Sequence, residues 1–245
     1  MDSLTREDLL ASKVEMVSSL LISIEGNYIP TCFACSFGVE DIVLADLICK
    51  HAPRIEIFTL DTGRLPQETY DVMQKIKDRY DREIILYFPE PQAVEAYARE
   101  YGPNGFYKST MLRKECCYIR KVEPLRRALS GKKAWISGVR REQSITRKEL
   151  SLSEWDKEYG LQKFNPLIDW SEDDVWSYIR QFGLPYNALH DKGYASIGCA
   201  PCTRAITVGE DIRAGRWWWE DAITKECGLH TKNYSQGRLK AKSAV

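Results

Sequence analysis

Short predicted strands alternate with helices along the first half of this chain, and this alternation constrains the fold more than any other feature. The predicted strands cover residues 28–35, 54–60, 83–88 and 134–139, and the predicted helices cover residues 41–49, 66–80, 91–101 and about 120–129. Such an order is typical of a parallel sheet with helices on both faces. We therefore predict an open, mostly parallel α/β sheet. One more helix, which Ser171 caps and which ends near Gly183, precedes an irregular segment rich in Gly, Cys, Arg and Trp that is expected to fold onto the ligand edge of the sheet.

Composition indicates a globular protein with no general affinity for polyanions. The 245 residues are 44% hydrophobic and 29% charged, and 35 basic residues balance 35 acidic ones. A formal charge of zero produces no field that would attract nucleic acid. Apolar runs fall short of the roughly 20 residues that a membrane helix needs, and the polar, acidic first residues are not typical of a secretion signal or transit peptide. We expect a soluble cytoplasmic protein that binds neither nucleic acid nor membranes. The sequence is compatible with a homo-oligomer but does not indicate its size.

Two cysteine pairs far apart in the chain predict a four-thiolate site. Cys116 and Cys117 are adjacent, whereas Cys199 and Cys202 form a Cys-x-x-Cys sequence. Adjacent side chains diverge and do not easily converge on one ion, but a cluster of several irons offers each sulfur its own metal. This favours iron-sulfur over zinc. A Cys-x-x-Cys alone would also be typical of a redox dithiol or of half a zinc site.

The remaining cysteines are of two kinds. Cys32, Cys35 and Cys49 lie in apolar stretches and are expected to be ordinary buried residues. Cys227 stands alone near the C-terminus, with Lys225 and His230 close by in sequence to favour its thiolate. It is therefore the candidate nucleophile, and the alternative is an exposed thiol without a role.

Three loops follow predicted strands and are expected to meet at the ligand edge of the sheet, beyond the strands' carboxyl ends. They are Ser36-Phe37-Gly38-Val39-Glu40-Asp41, Leu60-Asp61-Thr62-Gly63-Arg64 and Ser137-Gly138-Val139-Arg140-Arg141-Glu142-Gln143-Ser144. Any one of them alone could be an ordinary strand-to-helix turn. Cations follow the cysteine pairs, and Lys121, one helical turn beyond Cys117, is the best candidate to bridge a cluster and an anionic substrate. The Trp217-Trp218-Trp219 run is expected to pack a chain end rather than stack on a base.

Taken together, these segments resemble the assimilatory adenylyl-sulfate reductases, the iron-sulfur branch of the phosphosulfate reductase family. The resemblance spans residues 36 to 230 and includes the three loops, both cysteine pairs with Arg120-Lys121 and Thr203-Arg204 after them, and Glu226-Cys227-Gly228-Leu229-His230. The cysteine pairs discriminate within the family, because its phosphoadenylyl-sulfate branch resembles this chain elsewhere but lacks them.

The resemblance implies a fold like that of the adenine nucleotide alpha hydrolases and a 4Fe-4S cluster on Cys116, Cys117, Cys199 and Cys202. It implies that Cys227 attacks the sulfur of adenosine 5'-phosphosulfate, that AMP leaves, and that thioredoxin releases sulfite from the S-sulfonate, in assimilatory sulfate reduction for cysteine biosynthesis. The candidate substrate-binding residues are Ser36, Phe37, Gly38, Asp61, Thr62, Gly63, Arg64, Lys121, Gly138, Arg147, Arg213 and Arg216. Residues 1–208 are expected to form the nucleotide-binding reductase domain, and residues 209–245 a mobile segment that delivers Cys227.

Three other functions stay open. A phosphoadenylyl-sulfate reductase would differ only in accepting a 3'-phosphate on the nucleotide. An iron-sulfur tRNA-thiolating enzyme is disfavoured by the neutral charge and by a first loop with the single glycine Gly38. A zinc-stapled nucleotide-binding module without catalytic activity is the third.

Overall fold

A parallel sheet with helices on both faces forms the body of the protein. A computed structural model describes residues 5–143 and 150–220. The strands are β1 (Thr31–Ala34), β2 (Glu56–Leu60), β3 (Ile85–Tyr87), β4 (Ala134–Ile136), β5 (Ser153–Asp156) and β6 (Leu161–Phe164). In the described ranges they form one sheet in the order β3-β2-β1-β4-β6-β5. Every neighbouring pair is parallel except β5 and β6.

Seven helices surround this sheet in the described part of the chain. They are α1 (Arg6–Asn27), α2 (Val39–His51), α3 (Gln67–Tyr80), α4 (Pro91–Tyr101), α5 (Thr110–Cys117), α6 (Glu123–Leu129) and α7 (Glu172–Phe182). A single π turn (Tyr118–Val122) joins α5 to α6. The predicted basic helix at about residues 120–129 is therefore part of a longer helical run with a widened turn in its middle.

Successive strand residues point to opposite faces of the sheet and enter two different hydrophobic clusters. Phe33 and Ile136 belong to the larger cluster, which α1, α2, α3 and α7 cover, whereas their neighbours Cys32 and Trp135 belong to a smaller one under α6. This is the period of two that a strand imposes on its side chains. Both faces are covered, and nine of the thirteen residues of α2 are buried.

The structure adds two features to the sequence-based prediction. The β5–β6 hairpin was not predicted, and it extends one edge of the sheet with an antiparallel strand. Helix α1 was not predicted either.

Beyond α7, the chain from 183 to 220 forms only short turns, as expected, and parts of it lie over the carboxyl ends of the strands. None of the described helices is both long and apolar enough to cross a membrane.

Candidate functional site

A cavity of about 640 Å³ opens beyond the carboxyl ends of the central strands. Strand β1 lies between β2 and β4, so the chain crosses to opposite sides of β1, and such a switch point is where open α/β sheets bind ligands. The loops after β1, β2 and β4 line the cavity, and residues from 193 to 216 close its other side. Its volume is typical of a site for a nucleotide-sized molecule.

Asp41 shapes the loop after β1. Its Oδ2 accepts hydrogen bonds from the backbone N–H and the hydroxyl of Ser36, both at 2.6 Å. The same carboxylate lies against Gly138 of the loop after β4, where a Cβ would overlap it. Phe37 takes a left-handed backbone with φ of 61° and buries its ring in the core. The two loops are therefore fitted to each other around one buried carboxylate.

The loop after β2 links the cavity to the cysteines. Asp61 Oδ1 accepts from the N–H of Gly63 at 2.8 Å and from the hydroxyl of Tyr70 at 2.9 Å. These hydrogen bonds stabilise the conformation of the loop. Burial, with this hydrogen bond, raises the pKa of Tyr70 to about 12. The hydroxyl of Thr62 lies 3.3 Å from the sulfur of Cys199.

All four paired cysteines line one small pocket next to the cavity. Cys116 and Cys117 come from the end of α5, and Cys199 and Cys202 come from a short turn about eighty residues later. Burial raises the pKa of Cys202 to about 12, although Lys121 acts in the opposite direction. Burial likewise raises the pKa of Cys116, against the effect of the Arg120 cation.

Cations surround this cysteine pocket. Arg64, Arg113, Arg120 and Lys121 line it together with the four cysteines. Arg120 donates to the carbonyl of Thr62 at 2.6 Å and thereby ties the helical run to the loop after β2. Lys121 lines both the cysteine pocket and the larger cavity, which is the location predicted for a bridging residue.

Arg213 and Arg216 also line the cavity. Arg216 is 8% exposed, and its guanidinium fills the space that a Cβ on Gly198 would occupy. It donates to Ser196 Oγ and to the carbonyl of Ile197, both at 3.3 Å. Its Nε is buried and has no hydrogen-bond partner among the described residues. A buried donor of this kind is suited to an anionic ligand in the cavity.

The structure brings most of the predicted site residues together. The predicted substrate-binding residues on the cavity wall are Ser36, Gly38, Thr62, Lys121, Gly138, Arg213 and Arg216. Arg64 lies in the cysteine pocket instead, and Phe37, Asp61 and Gly63 line neither the cavity nor the cysteine pocket, so their contact with substrate stays a prediction. Arg147 and the candidate nucleophile Cys227 lie outside the described residues.

Sequence reasoning overlooked Arg113 and assigned no role to Asp41. Arg113 precedes Cys116 by three residues and Cys117 by four, so helical spacing places it on the same face as the cysteine pair. That spacing is a signal that the sequence does contain. Asp41 had a weaker signal, since an acidic residue in the first turn of a helix is common.

Comparison with known proteins then identifies the family. The model of the phosphoadenosine phosphosulfate reductase domain matches residues 30–205, which is most of the chain. The chain belongs to this family. A protein of Allochromatium vinosum named adenosine 5'-phosphosulfate reductase is 50% identical over 241 residues, covering 98% of this chain and 91% of that protein. One of Burkholderia cepacia with the same name is 52% identical over 221 residues, covering 90% and 88%. The prediction of an oxidoreductase of this family that acts on a sulfur group is confirmed.

Solved structures support the same fold. A phosphoadenylyl-sulfate reductase from Candida auris, in complex with phosphate, superposes with a TM-score of 0.68 at 27% identity and covers 83% of this chain and 99% of that one. An FMN adenylyltransferase from Candida glabrata gives 0.59 at 16% identity, over 92% of this chain and 80% of the other, and shows the fold alone. The predicted fold, like that of the adenine nucleotide alpha hydrolases, is confirmed.

Proposed function

We propose that this family member reduces adenosine 5'-phosphosulfate to sulfite and AMP, with electrons from thioredoxin, in cytoplasmic assimilatory sulfate reduction. The observation that carries the proposal is that two distant cysteine pairs share one pocket with Lys121, which also lines the cavity. Close relatives that bear the name adenosine 5'-phosphosulfate reductase support the choice of substrate.

The first step forms a covalent bond to Cys227. The thiolate of Cys227 attacks the sulfur of the sulfate group, an S–S bond forms, and the bond from sulfur to the bridging oxygen breaks. That oxygen leaves with the electron pair as part of AMP, which is a good leaving group and needs no proton. The site therefore requires no acid-base dyad, and positioning with electrostatic stabilisation carries the reaction.

The second step regenerates the thiol. A thiolate of reduced thioredoxin attacks the sulfur of Cys227, and sulfite leaves with the electrons of the broken S–S bond. The second thiol of thioredoxin then resolves the mixed disulfide, which yields oxidised thioredoxin and free Cys227. Two electrons pass from the dithiol to the sulfonyl group. We further propose that the segment carrying Cys227 moves between substrate and partner.

Cations on the cavity wall oppose the repulsion between a thiolate and an anionic substrate. They are Lys121, Arg213 and Arg216. We propose that they bind the phosphate and sulfate oxygens, together with Arg147, and stabilise the charge that accumulates there in the transition state. The unpartnered Nε of Arg216 supports this role, because a substrate oxygen would complete its hydrogen bonding.

We propose that the cysteine pocket holds a 4Fe-4S cluster rather than a zinc ion, because Cys116 and Cys117 are adjacent in the chain and adjacent side chains diverge. A zinc ion needs its sulfurs at about 2.3 Å from one point, whereas each thiolate of a four-iron cluster binds a different iron. We propose Cys116, Cys117, Cys199 and Cys202 as the ligands. The bound cluster would supply local charge beside the substrate rather than electrons.

Mass spectrometry tests the proposed nucleophile. Reduced protein incubated with adenosine 5'-phosphosulfate and no thioredoxin is expected to gain the mass of one sulfonate on Cys227. Cys227→Ser should gain none and lose turnover, while Cys49→Ser, which changes a cysteine outside the site, serves as the matched control. Full turnover by Cys227→Ser would refute the assignment.

The likeness to a phosphoadenylyl-sulfate reductase makes that activity the second candidate. The two differ only in the 3'-phosphate of the nucleotide. Competition between the two substrates distinguishes them, and higher kcat/KM with the 3'-phosphorylated compound would overturn the proposed substrate.

A further inference from the structure

A buried ion pair holds the last described residue of the chain against the helix that carries Cys116 and Cys117. Glu220 Oε1 accepts from Arg113 Nε at 2.9 Å, and Glu220 Oε2 accepts from Arg113 Nη2 at 2.7 Å. The side chains are 0% and 3% exposed. Such a bidentate pair is among the strongest and most directional side-chain contacts. We call this pair the Arg113–Glu220 clasp.

The chain turns sharply to bring Glu220 to Arg113. Trp217 has a left-handed backbone with φ of 43°, which is rare for a large side chain, and its carbonyl accepts from the N–H of Glu220 at 2.9 Å. The centroid of its ring lies 4.6 Å from Cζ of Arg113 and 4.9 Å from Cζ of Arg216. Trp219 packs against Tyr107 with ring centroids 4.4 Å apart. Two residues of the tryptophan run thus pack onto side chains beside the site, and the prediction that the run packs a chain end stays a prediction.

The clasp therefore connects three parts of the site. Arg113 lines the cysteine pocket, and Trp217 contacts both Arg113 and the cavity residue Arg216. Cys227 follows Glu220 by only seven residues in the sequence. Seven residues reach at most about 25 Å, so a fixed starting point strictly limits the volume that the thiol can occupy.

We infer that Arg113 and Glu220 are positioning residues for the Cys227 nucleophile. The inference rests on the proposed function, in which Cys227 attacks the substrate. The clasp fixes the base of the segment that bears Cys227, and it raises the effective concentration of the thiol at the cavity. Stability alone is a poor explanation for this pair, because a buried ion pair is often no more stabilising than apolar residues of the same volume.

Single-turnover kinetics of Glu220→Gln test the inference. The substitution keeps the shape of the side chain and removes its charge. At saturating adenosine 5'-phosphosulfate and without thioredoxin, we expect the sulfonate adduct on Cys227 to form about 10- to 100-fold more slowly than in wild type, because misplaced reacting groups cost rate. Substrate affinity, measured by equilibrium binding, and iron content should stay within about twofold of wild type, since Gln keeps the shape of Glu220 and the substitution replaces no cavity-lining residue and no cysteine.

Glu123→Gln is the matched control. It breaks another bidentate Arg–Glu contact, that of Arg127 with Glu123, which lies on the surface of the same helical run. Its adduct should form at the wild-type rate. Glu220→Asp provides a milder change that keeps the charge and shortens the side chain by one methylene, and it should slow the adduct while leaving the fold intact.

Two results would overturn the inference. One is a wild-type adduct rate in Glu220→Gln or, should that variant not fold, in Glu220→Asp. The other is a rate that falls only in proportion to lost iron, which would assign the clasp a purely structural role. Failure of the proposed function would look different, because wild-type protein itself would then form no adduct on Cys227.

Discussion

At the scale of the residue, one carboxylate gives the loop after β1 its shape. Loops that bind phosphate commonly rely on several glycines, but the loop after β1 has only Gly38. Asp41 instead engages both the N–H and the hydroxyl of Ser36. A hydroxyl has one proton to donate, so while Ser36 donates to Asp41 its oxygen can only accept from a ligand. This favours contact between Ser36 and a hydroxyl or amino group of the nucleotide over contact with a phosphate oxygen.

Replacing Asp41 with Asn should therefore loosen the loop. The variant loses the charge that accepts two 2.6 Å hydrogen bonds and puts an NH2 group next to Gly138 or Ser36. We expect a loss of about 1–3 kcal/mol in the free energy of unfolding, as for other disrupted buried polar contacts, together with a higher KM for substrate. Urea denaturation and steady-state kinetics measure the two effects.

Asp71→Asn is the control for that experiment. Asp71 lies exposed on α3, where it accepts from the side chain of Gln67, and its replacement should change stability by less than about 0.5 kcal/mol. A wild-type denaturation midpoint and KM in Asp41→Asn would show that the carboxylate does not shape the loop.

At the scale of the element, regular patterns could be predicted from the sequence and mixed ones could not. The helix predicted at residues 91–101 has those bounds, and Ser171 caps α7 as predicted, with its hydroxyl accepting from the N–H of Asp174. Strand β6 was not predicted because Lys163 interrupts its apolar pattern. In the structure the Lys163 side chain is buried, its amine lies 4.9 Å from the Trp135 ring centroid, and the amine pairs with Glu154. Lys163 therefore behaves as an amphipathic residue whose methylene groups cover apolar surface.

Helix α1 was missed for a different reason. Its buried residues Leu10, Val17, Leu21 and Ile24 recur at helical spacing, and Thr5 with Asp8 forms a capping box at its start. The signal is present, but it lies before the first strand, where the strand and helix alternation offers no guide. Its place in the fold depends on packing against α2 and on ion pairs with α7, which is distant in sequence.

Asp174 joins the cap of α7 to α1 and should make stability depend on pH. Burial raises the pKa of this carboxyl, but hydrogen bonds from Lys13 and from Ser171 outweigh burial, and the net pKa is below its ordinary value of 3.8. A carboxyl with a lowered folded-state pKa stabilises the protein above its unfolded pKa, and this stabilisation is lost as the pH falls through the folded-state value.

The corresponding variant is Asp174→Asn. We expect it to cost about 1 kcal/mol at pH 7, as loss of a helix cap does, and to differ progressively less from wild type as the pH falls below 3.8. Chemical denaturation of both proteins across that range measures the difference. A difference that stayed constant from pH 7 to pH 2 would rule out the carboxylate as its source.

At the scale of the whole molecule, the site assembles from segments that the sequence keeps far apart. The cysteine spacing and the order of the loops were enough to predict that the two cysteine pairs meet and that the three strand loops line one cavity. Lys121 was predicted as the residue between cavity and cysteine pocket, but the sequence could not show that Arg113 reaches Glu220, because that contact depends on how the irregular segment after α7 packs. Such packing has no periodic pattern, and only the complete fold determines it.

Loss of the proposed cluster should therefore loosen the site and leave the sheet folded. Cys117→Ser is expected to lose iron and activity together, since it removes one of four ligands. Hydrogen exchange followed by mass spectrometry should show faster exchange around α5 and the 199–202 turn, while β1, β2 and β4 stay protected. Cys32→Ser, in the core beneath α6, should retain iron. Uniform loss of protection in Cys117→Ser would indicate that the cysteine pocket supports the entire fold.

The Arg113–Glu220 clasp also has a consequence for the chain during its synthesis. Its partners are 107 residues apart, and all six strands of the described sheet precede residue 165. Domains begin to fold from the N-terminal side as they leave the ribosome, so the sheet can form well before Glu220 emerges. Closing so long a loop costs little more than closing a shorter one, so the clasp can still form last. A chain that stops before Glu220 would thus contain the sheet and its cavity without the clasp, and under the proposed function it would lack a positioned thiol to react with substrate.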